Sequence, residues 1–171
     1  KAHRLLVHGL DDLNRLKTWG LYKNTAIFPH GIKHAPRISQ NDAKKLAQIP
    51  THKIVIASYG FMLPHKGLET LIEAFSKLRH KHENLHLLMI NALYPVPEST
   101  ETKSNCLALI KTHQLENSVS MRTDFSEDEE TLQLLQAAAM VVFPYQETAE
   151  SVSGAVRYGL ASRRSVVCTP L

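Results

Sequence analysis

The chain has 171 residues, 43% of them hydrophobic and 21% charged, with a formal net charge of +4. That composition suits a folded core rather than a disordered chain, and the length allows one domain, or one domain with a piece of another. No apolar run approaches the roughly 18 to 20 residues of a membrane span, no basic stripe interleaved with aromatics points to nucleic acid, and Cys106 and Cys168 match no metal-site spacing, so they read as reduced thiols of a cytosolic protein.

Residues 4–8 read as a strand, residues 11–17 as a short amphipathic helix ending near Gly20, and residues 25–29 as a second strand closed by His30-Gly31-Ile32. This βαβ unit is too small to be a domain and reads as the tail of something larger, a remnant spanning residues 1–32. Residues 33–51 are polar, contain Pro36 and Pro50, and read as a linker with a short helix over residues 41–48. The His30 ring is expected to be structural.

From residue 52 the pattern is regular. The run Lys53–Gly60 reads as a strand, nearly continuous in apolar residues from Ile54 on, as buried parallel strands are. Leu68, Leu71, Ile72, Phe75 and Leu78 recur at helical spacing and predict a helix over residues 67–80. Residues 85–91 form the next strand, 100–113 a helix and 119–123 a further strand. Ser126 and Glu129 have capping-box spacing at the head of a helix reaching Ala139, and the acidic run Glu127–Glu130 complements the helix dipole, so it needs no catalytic role. Residues 140–145 read as a strand, 151–160 as a helix closing near Gly159, and 165–169 as a last strand. Strands alternating with helices predict an α/β fold, a Rossmann-like parallel sheet with helices on both faces. Both ends of the chain are expected to be cut.

Two stretches carry the chemistry. In Gly60-Phe61-Met62-Leu63-Pro64-His65-Lys66-Gly67, Lys66 lies at a helix start, where the dipole opposes a cation unless an anion offsets it. Lys66 beside the Gly67 amide therefore suits phosphate, although a solvated lysine is the competing reading. The spacing matches neither a P-loop nor a dinucleotide fingerprint. In the second stretch, the strand ending at Pro144-Tyr145 passes through Gln146, Glu147 and Glu150 into Ser151, Val152, Ser153 and Gly154. A carboxylate there accepts hydrogen bonds from hydroxyls or stabilises positive charge at a reacting carbon, and capping is its bland alternative. His80, His82 and His86 lack a Cys or carboxylate partner and read as solvated surface rather than metal ligands.

Taken together, these stretches resemble the family-4 (group 1) retaining glycosyltransferases of the GT-B fold. The resemblance lies in Gly60, in Lys66-Gly67 followed by Leu68-Glu69-Thr70-Leu71-Ile72-Glu73-Ala74-Phe75, in Ser126–Glu130, in Ala137-Ala138-Ala139 before a strand ending at Pro144, and in the opening Val7-His8 … Pro29-His30-Gly31-Ile32. It implies that residues 52–171 form the donor-binding, carboxyl-terminal domain and that residues 1–32 end the acceptor domain. Lys66 would contact the diphosphate of a nucleoside-diphosphate sugar, with the backbone of Ser151, Val152, Ser153 and Gly154 cradling it. The end of the strand at Arg122-Thr123 would lie near the base. Glu147, with Glu150 nearby, approximates the carboxylate that faces the donor sugar.

The expected reaction is retaining transfer of a hexose to a glycan acceptor, with no metal and no cofactor, by Lys66 and Glu147. The wording of the motifs resembles that of bacterial surface-polysaccharide transferases, mannosyltransferases among them, which implies a cytoplasmic protein at the inner face of the membrane. Membrane association would be peripheral, through the full-length protein. The sequence departs from the pattern at Phe61, where the family carries an arginine, at Gly154, where a second glutamate would fall, and at Asn91-Ala92-Leu93-Tyr94-Pro95, which replaces a glycine-rich turn. Glu147 is also one residue out of register, the anchor falling on Gln146. A non-catalytic scaffold domain and a nucleotide-sugar epimerase remain the alternatives.

Overall fold

The computed structural model describes residues 3–146 and 153–170. A small parallel pair opens the chain: β1 (Leu5–Val7), α1 (Leu10–Thr18) and β2 (Thr25–Ile27). His8 and His30, at the carboxyl ends of these strands, stack with ring centroids 3.7 Å apart, and His8 Nδ1 lies 2.7 Å from the Phe28 carbonyl oxygen.

The larger unit alternates strand and helix: α2 (Gln40–Leu46), β3 (Ile54–Phe61), α3 (Leu68–Arg79), β4 (Leu85–Ala92), α4 (Pro97–Thr112), β5 (Val119–Arg122), α5 (Asp128–Leu135), β6 (Met140–Phe143), α6 (Gly154–Ala161) and β7 (Ser165–Cys168). All five strands β3–β7 are parallel, in the order β5-β4-β3-β6-β7. Strand order reverses between β3 and β6, which opens a crevice at their carboxyl ends. The expected α/β sheet is thus observed, with helices on both faces.

Side-chain alternation divides the core. Ile56, Leu87 and Met89 meet Leu68, Ile72 and Phe75 of α3 and Cys106 and Ile110 of α4 on one face. Val55, Ala57, Leu88 and Ile90 meet α2, α5 and the chain after them on the other. Every residue of β4 is buried, so this strand does not alternate apolar with polar positions; its two polar residues, His86 and Asn91, are buried with the rest. Each fully buried side chain of the size of Phe75 or Leu88 contributes about 1.5–3 kcal/mol. Leu78, expected on the same stripe of α3, is exposed instead. Gly159 lies inside α6 rather than closing it, and a Cβ there would come within 2.7 Å of the Phe143 ring.

Two local expectations change. The polar segment before β3 is packed, not a free linker: Ala35, Ala43, Ala47 and Ile49 are buried, and α2 rests on α5. Gln136 stitches it down, its Nε2 donating to the Pro36 carbonyl at 2.8 Å and its Oε1 accepting from the Ile38 amide at 3.3 Å. Ser39 caps α2, accepting from the Asp42 amide at 3.1 Å. The capping box at Ser126–Glu129 does not form. α5 starts one residue later, with Glu127 at its N-cap and no side-chain cap. The acidic first turn remains, and Asp128 accepts instead from the Tyr158 hydroxyl and pairs with Lys33. Among the described residues no helix is long and apolar enough to cross a membrane.

His86 was expected at the surface and is buried, because it begins the fully enclosed β4. Its Nε2 lies 2.9 Å from Ser120 Oγ, while Nδ1 is buried without a partner. Burial, helped by the positive charge of Lys53, lowers its pKa to about 4. Below the ordinary histidine pKa the unfolded chain therefore binds a proton that the folded one refuses. The stability present above about pH 6.5 is lost progressively as the pH falls towards 4. Urea unfolding should show the wild type losing about 2–3 kcal/mol more between pH 7.5 and pH 4.5 than His86→Gln, which keeps a polar partner for Ser120 but takes no proton.

Candidate functional site

The crevice between β3 and β6 holds a cavity of about 300 Å3 lined by residues that include Tyr59, Gly60, Phe61, Lys66, Phe125, Ser153, Gly154 and Tyr158. Its floor is built by two loops in close contact. After β3, Pro64–Lys66 forms a single 3-10 turn with proline at its start, where a missing N–H costs nothing. Gly67 then takes a left-handed conformation, φ +66°, and hands the chain to α3.

Gly67 is also where the β6 loop passes closest. A Cβ at this position would lie 1.9 Å from the Pro144 carbonyl oxygen, so no side chain fits. The Gln146 amide donates to the His65 carbonyl at 2.8 Å, and Gln146 Nε2 reaches Thr70 Oγ1 at 3.4 Å. One backbone and one side-chain hydrogen bond thus tie the β6 loop to the start of α3 and the turn before it.

Lys66 lies between them. It is 7% exposed, yet lines the cavity, and its Nζ sits 4.4 Å from the centroid of the Tyr145 ring. The negative face of that ring favours the ammonium, all the more when water is excluded. The Tyr145 hydroxyl lies 2.8 Å from Ser153 Oγ, and the Tyr145 carbonyl accepts from Thr169 Oγ1 at 2.7 Å. The aromatic ring therefore ties the lysine's setting to the N-cap of α6. Ser153 and Gly154 open that helix, and its first-turn N–H groups have no acceptor within the helix. A buried cation faces a helix start across a cavity, and this arrangement suits an anion bearing several oxygens.

The opposite wall is aromatic. Tyr59 and Tyr158 pack at 4.8 Å between centroids, and Lys33 lies 5.6 Å from the centroid of the Tyr158 ring. Burial raises the pKa of both phenols, and the neighbouring Tyr59 raises that of Tyr158 further. Both are neutral at physiological pH. Ser58 Oγ donates to Asn91 Oδ1 at 2.7 Å and closes a buried polar pair.

Of the residues singled out from sequence, Gly60, Lys66, Ser153 and Gly154 line the cavity, and Gly67 sets the floor beside it. Glu147, Glu150, Ser151 and Val152 lie outside the described residues. Arg122 and Thr123 are not brought to the cavity. Arg122 pairs in register with Ile90, whose side chain faces the α2 and α5 side of the sheet, so the guanidinium follows it there. It donates to the Leu46 carbonyl at 3.3 Å and lies 3.7 Å from Glu130. Thr123 is occupied by the Leu93 amide and by Lys103 Nζ. Asp124, Phe125 and Ser126 line the cavity there instead. Sequence reading missed Tyr59, Phe125 and Tyr158. Their one signal was being large aromatics just before or after a glycine or strand end. Among the described residues no three His, Cys, Asp or Glu gather to hold a metal ion.

The close approach at Gly67 yields a direct expectation. Gly67→Ala adds a Cβ into the Pro144 carbonyl and imposes a left-handed residue with a side chain. It should lower stability by about 2 kcal/mol or more, read by urea unfolding, because the loops must part. Gly31→Ala, where nothing lies within 4 Å of the new carbon, should change stability by less than about 0.5 kcal/mol.

Solved structures share this fold. Sucrose-phosphate synthase from Thermosynechococcus elongatus superposes with a TM-score of 0.76 at 19% identity, over 98% of this chain and 41% of its own. The Anabaena protein HepE, solved in complex with UDP and glucose, gives 0.79 at 14% identity, over 98% of this chain and 44% of its own. The carboxyl-terminal domain of a glycosyl transferase group 1 family protein, LpcC, from Francisella tularensis gives 0.67 at 19% identity, over 78% of this chain and 66% of that one. The chain thus spans less than half the length of the first two. No curated protein matches it by sequence. The sequence profile of the family described as glycosyl transferases group 1 matches residues 39–156, the greater part of the chain, which belongs to that family.

Proposed function

We propose that this chain carries the donor site of a retaining glycosyltransferase, one that transfers a hexose from a nucleoside-diphosphate sugar to a glycan acceptor. The observation that carries the reading is the position of Lys66: buried, lining the cavity at the switch point between β3 and β6, and facing the start of α6. Group 1 membership supports glycosyl transfer, and the two tyrosines opposite supply a wall that stays uncharged.

In this reading the diphosphate lies between the Lys66 ammonium and the first-turn amides of α6. As the bond between the sugar and the diphosphate breaks, the negative charge that grows on the leaving group meets a fixed cation and fixed N–H dipoles. A preorganised, poorly hydrated site makes these worth more than they are in water. Glu147 is assigned to the sugar side, with Glu150, Ser151 and Val152 completing the loop around the phosphates. Lys66 provides the charge that a divalent cation would otherwise supply. Residues 1–32 are assigned to the end of the acceptor-side domain, and mannose is one sugar the reading includes. The whole protein would work in the cytoplasm, at the membrane face where its glycan is built.

Calorimetric titration with UDP, GDP and their sugars tests this. One nucleotide should bind saturably, and Lys66→Ala should weaken it about tenfold or more, the loss of one charged hydrogen bond of roughly 1.5 kcal/mol. No binding at millimolar nucleotide by a folded sample would favour a scaffold role.

A further inference from the structure

Tyr145 follows Pro144 just past β6, is 5% exposed, and is held at three points. Its carbonyl accepts from Thr169 Oγ1, its ring packs edge-to-face with Phe143 at 5.9 Å between centroids, and its hydroxyl lies 2.8 Å from Ser153 Oγ. Lys66 Nζ sits over the same ring, 4.4 Å from its centroid. One side chain thus meets both the cation that lines the cavity and the residue at the head of α6.

Filling the core accounts for the ring but not for the hydroxyl. A phenylalanine would pack as well against Phe143 and Lys66 and would need no polar partner. The partner that the hydroxyl takes is informative. Ser153 is the N-cap of α6, with the extended backbone of an N-cap, φ −92° and ψ 118°, yet its side chain makes no capping hydrogen bond. Serine is favoured at this position because its oxygen accepts from an amide of the first turn. Ser39 does so at the head of α2, on similar backbone, φ −68° and ψ 151°, accepting from the Asp42 amide at 3.1 Å. At α6 the hydroxyl is turned to Tyr145 instead of back onto its own helix.

A cap left open reserves its amides for another acceptor. Ser153, Gly154 and Ala155 line the cavity together with Lys66. A serine oxygen bonded to the Ala155 or Val156 amide would occupy a donor that a phosphate oxygen needs. Turned aside, Ser153 leaves the first turn facing the cavity with its N–H groups available.

We propose that Tyr145 is a positioning residue for the diphosphate, acting through two groups at once. Its face holds the Lys66 ammonium beside the cavity. Its hydroxyl holds Ser153 off the first turn of α6, so the helix start is open to the phosphates. The inference rests on the donor-site reading and deepens it. Tyr145 acts through these groups rather than on the nucleotide: it decides whether the chain's own serine or the ligand's oxygens take the amides.

Calorimetric titration with UDP, GDP and pyrophosphate tests this on Tyr145→Phe, made in the unsubstituted chain and again in a Ser153→Ala background. The substitution keeps the ring over Lys66 and frees the Ser153 hydroxyl to cap α6. Alone, it should weaken nucleotide and pyrophosphate alike by about five- to tenfold, or 1–1.4 kcal/mol. In the Ser153→Ala background no hydroxyl competes, and adding Tyr145→Phe should change affinity by less than about twofold. A merely structural role would cost the same in both backgrounds. Tyr145→Leu, which also removes the ring beneath Lys66, should weaken binding in both. Thermal melts establish that each variant is folded, and if Tyr145→Leu is not, the Tyr145→Phe pair decides alone. If Tyr145→Phe keeps affinity within twofold while Lys66→Ala loses it, or costs the same in both backgrounds, the positioning role is wrong and the donor site stands. If the unsubstituted protein binds neither nucleotides nor pyrophosphate, both readings fall.

Discussion

The contact between Gly67 and the Pro144 carbonyl is the constraint on which the site depends. Two strands that are neighbours in the sheet but far apart in sequence end in loops that must cross the same small space. A carbonyl oxygen 1.9 Å from where a Cβ would stand leaves room for hydrogen alone. The same glycine supplies the left-handed turn that ends the 3-10 segment and starts α3. One residue type satisfies both demands, and the hydrogen bond from Gln146 to His65 holds the result. Lys66, next in the chain, is thereby fixed over Tyr145 instead of extending into water. Its lost rotamer freedom, of order 1.5–2 kcal/mol, is offset in advance by packing rather than by the ligand.

Stability and chemistry occupy opposite ends of the sheet. The amino-terminal ends of the strands are sealed, to the point that His86 keeps one nitrogen without a partner and resists protonation. At the carboxyl ends the strands splay into the loops that carry Lys66, Phe125 and the start of α6. The lysine rests on a ring whose hydroxyl meets the cap of α6, so a change at any of these groups is felt by the others. Such coupling is expected where a cation, an aromatic face and a helix start enclose one poorly hydrated volume.

The fold was legible because its signals are long and redundant. Seven residues of β3 and seven of β4 are recognisable without knowing where they pair, and α3 shows its buried face in Leu68, Leu71, Ile72 and Phe75. Lys66-Gly67 was legible for a local reason, a cation set against a helix dipole. Features that depend on pairing were not. The face that Arg122 takes follows from its register against Ile90, which no local pattern states. The packing of residues 33–51 was not legible because small apolar residues, Ala35, Ala43 and Ala47, are buried there where large ones would have been noticed. Ser126 has the spacing of a cap, but Asp128 is drawn to Tyr158 and Lys33 and the helix starts later. Phe125 is an isolated aromatic in a polar loop, and only the fold brings it to Phe61.

In the proposed donor site the diphosphate of a nucleotide lies between Lys66 and the start of α6. A crystal structure of the protein with bound UDP or GDP tests it most directly. Phosphate oxygens are expected within hydrogen-bonding distance of Lys66 Nζ and of the first-turn amides of α6, with the β3 and β6 loops still in contact. A nucleotide bound outside the crevice, or one in the crevice with its phosphates turned away from Lys66, would contradict it.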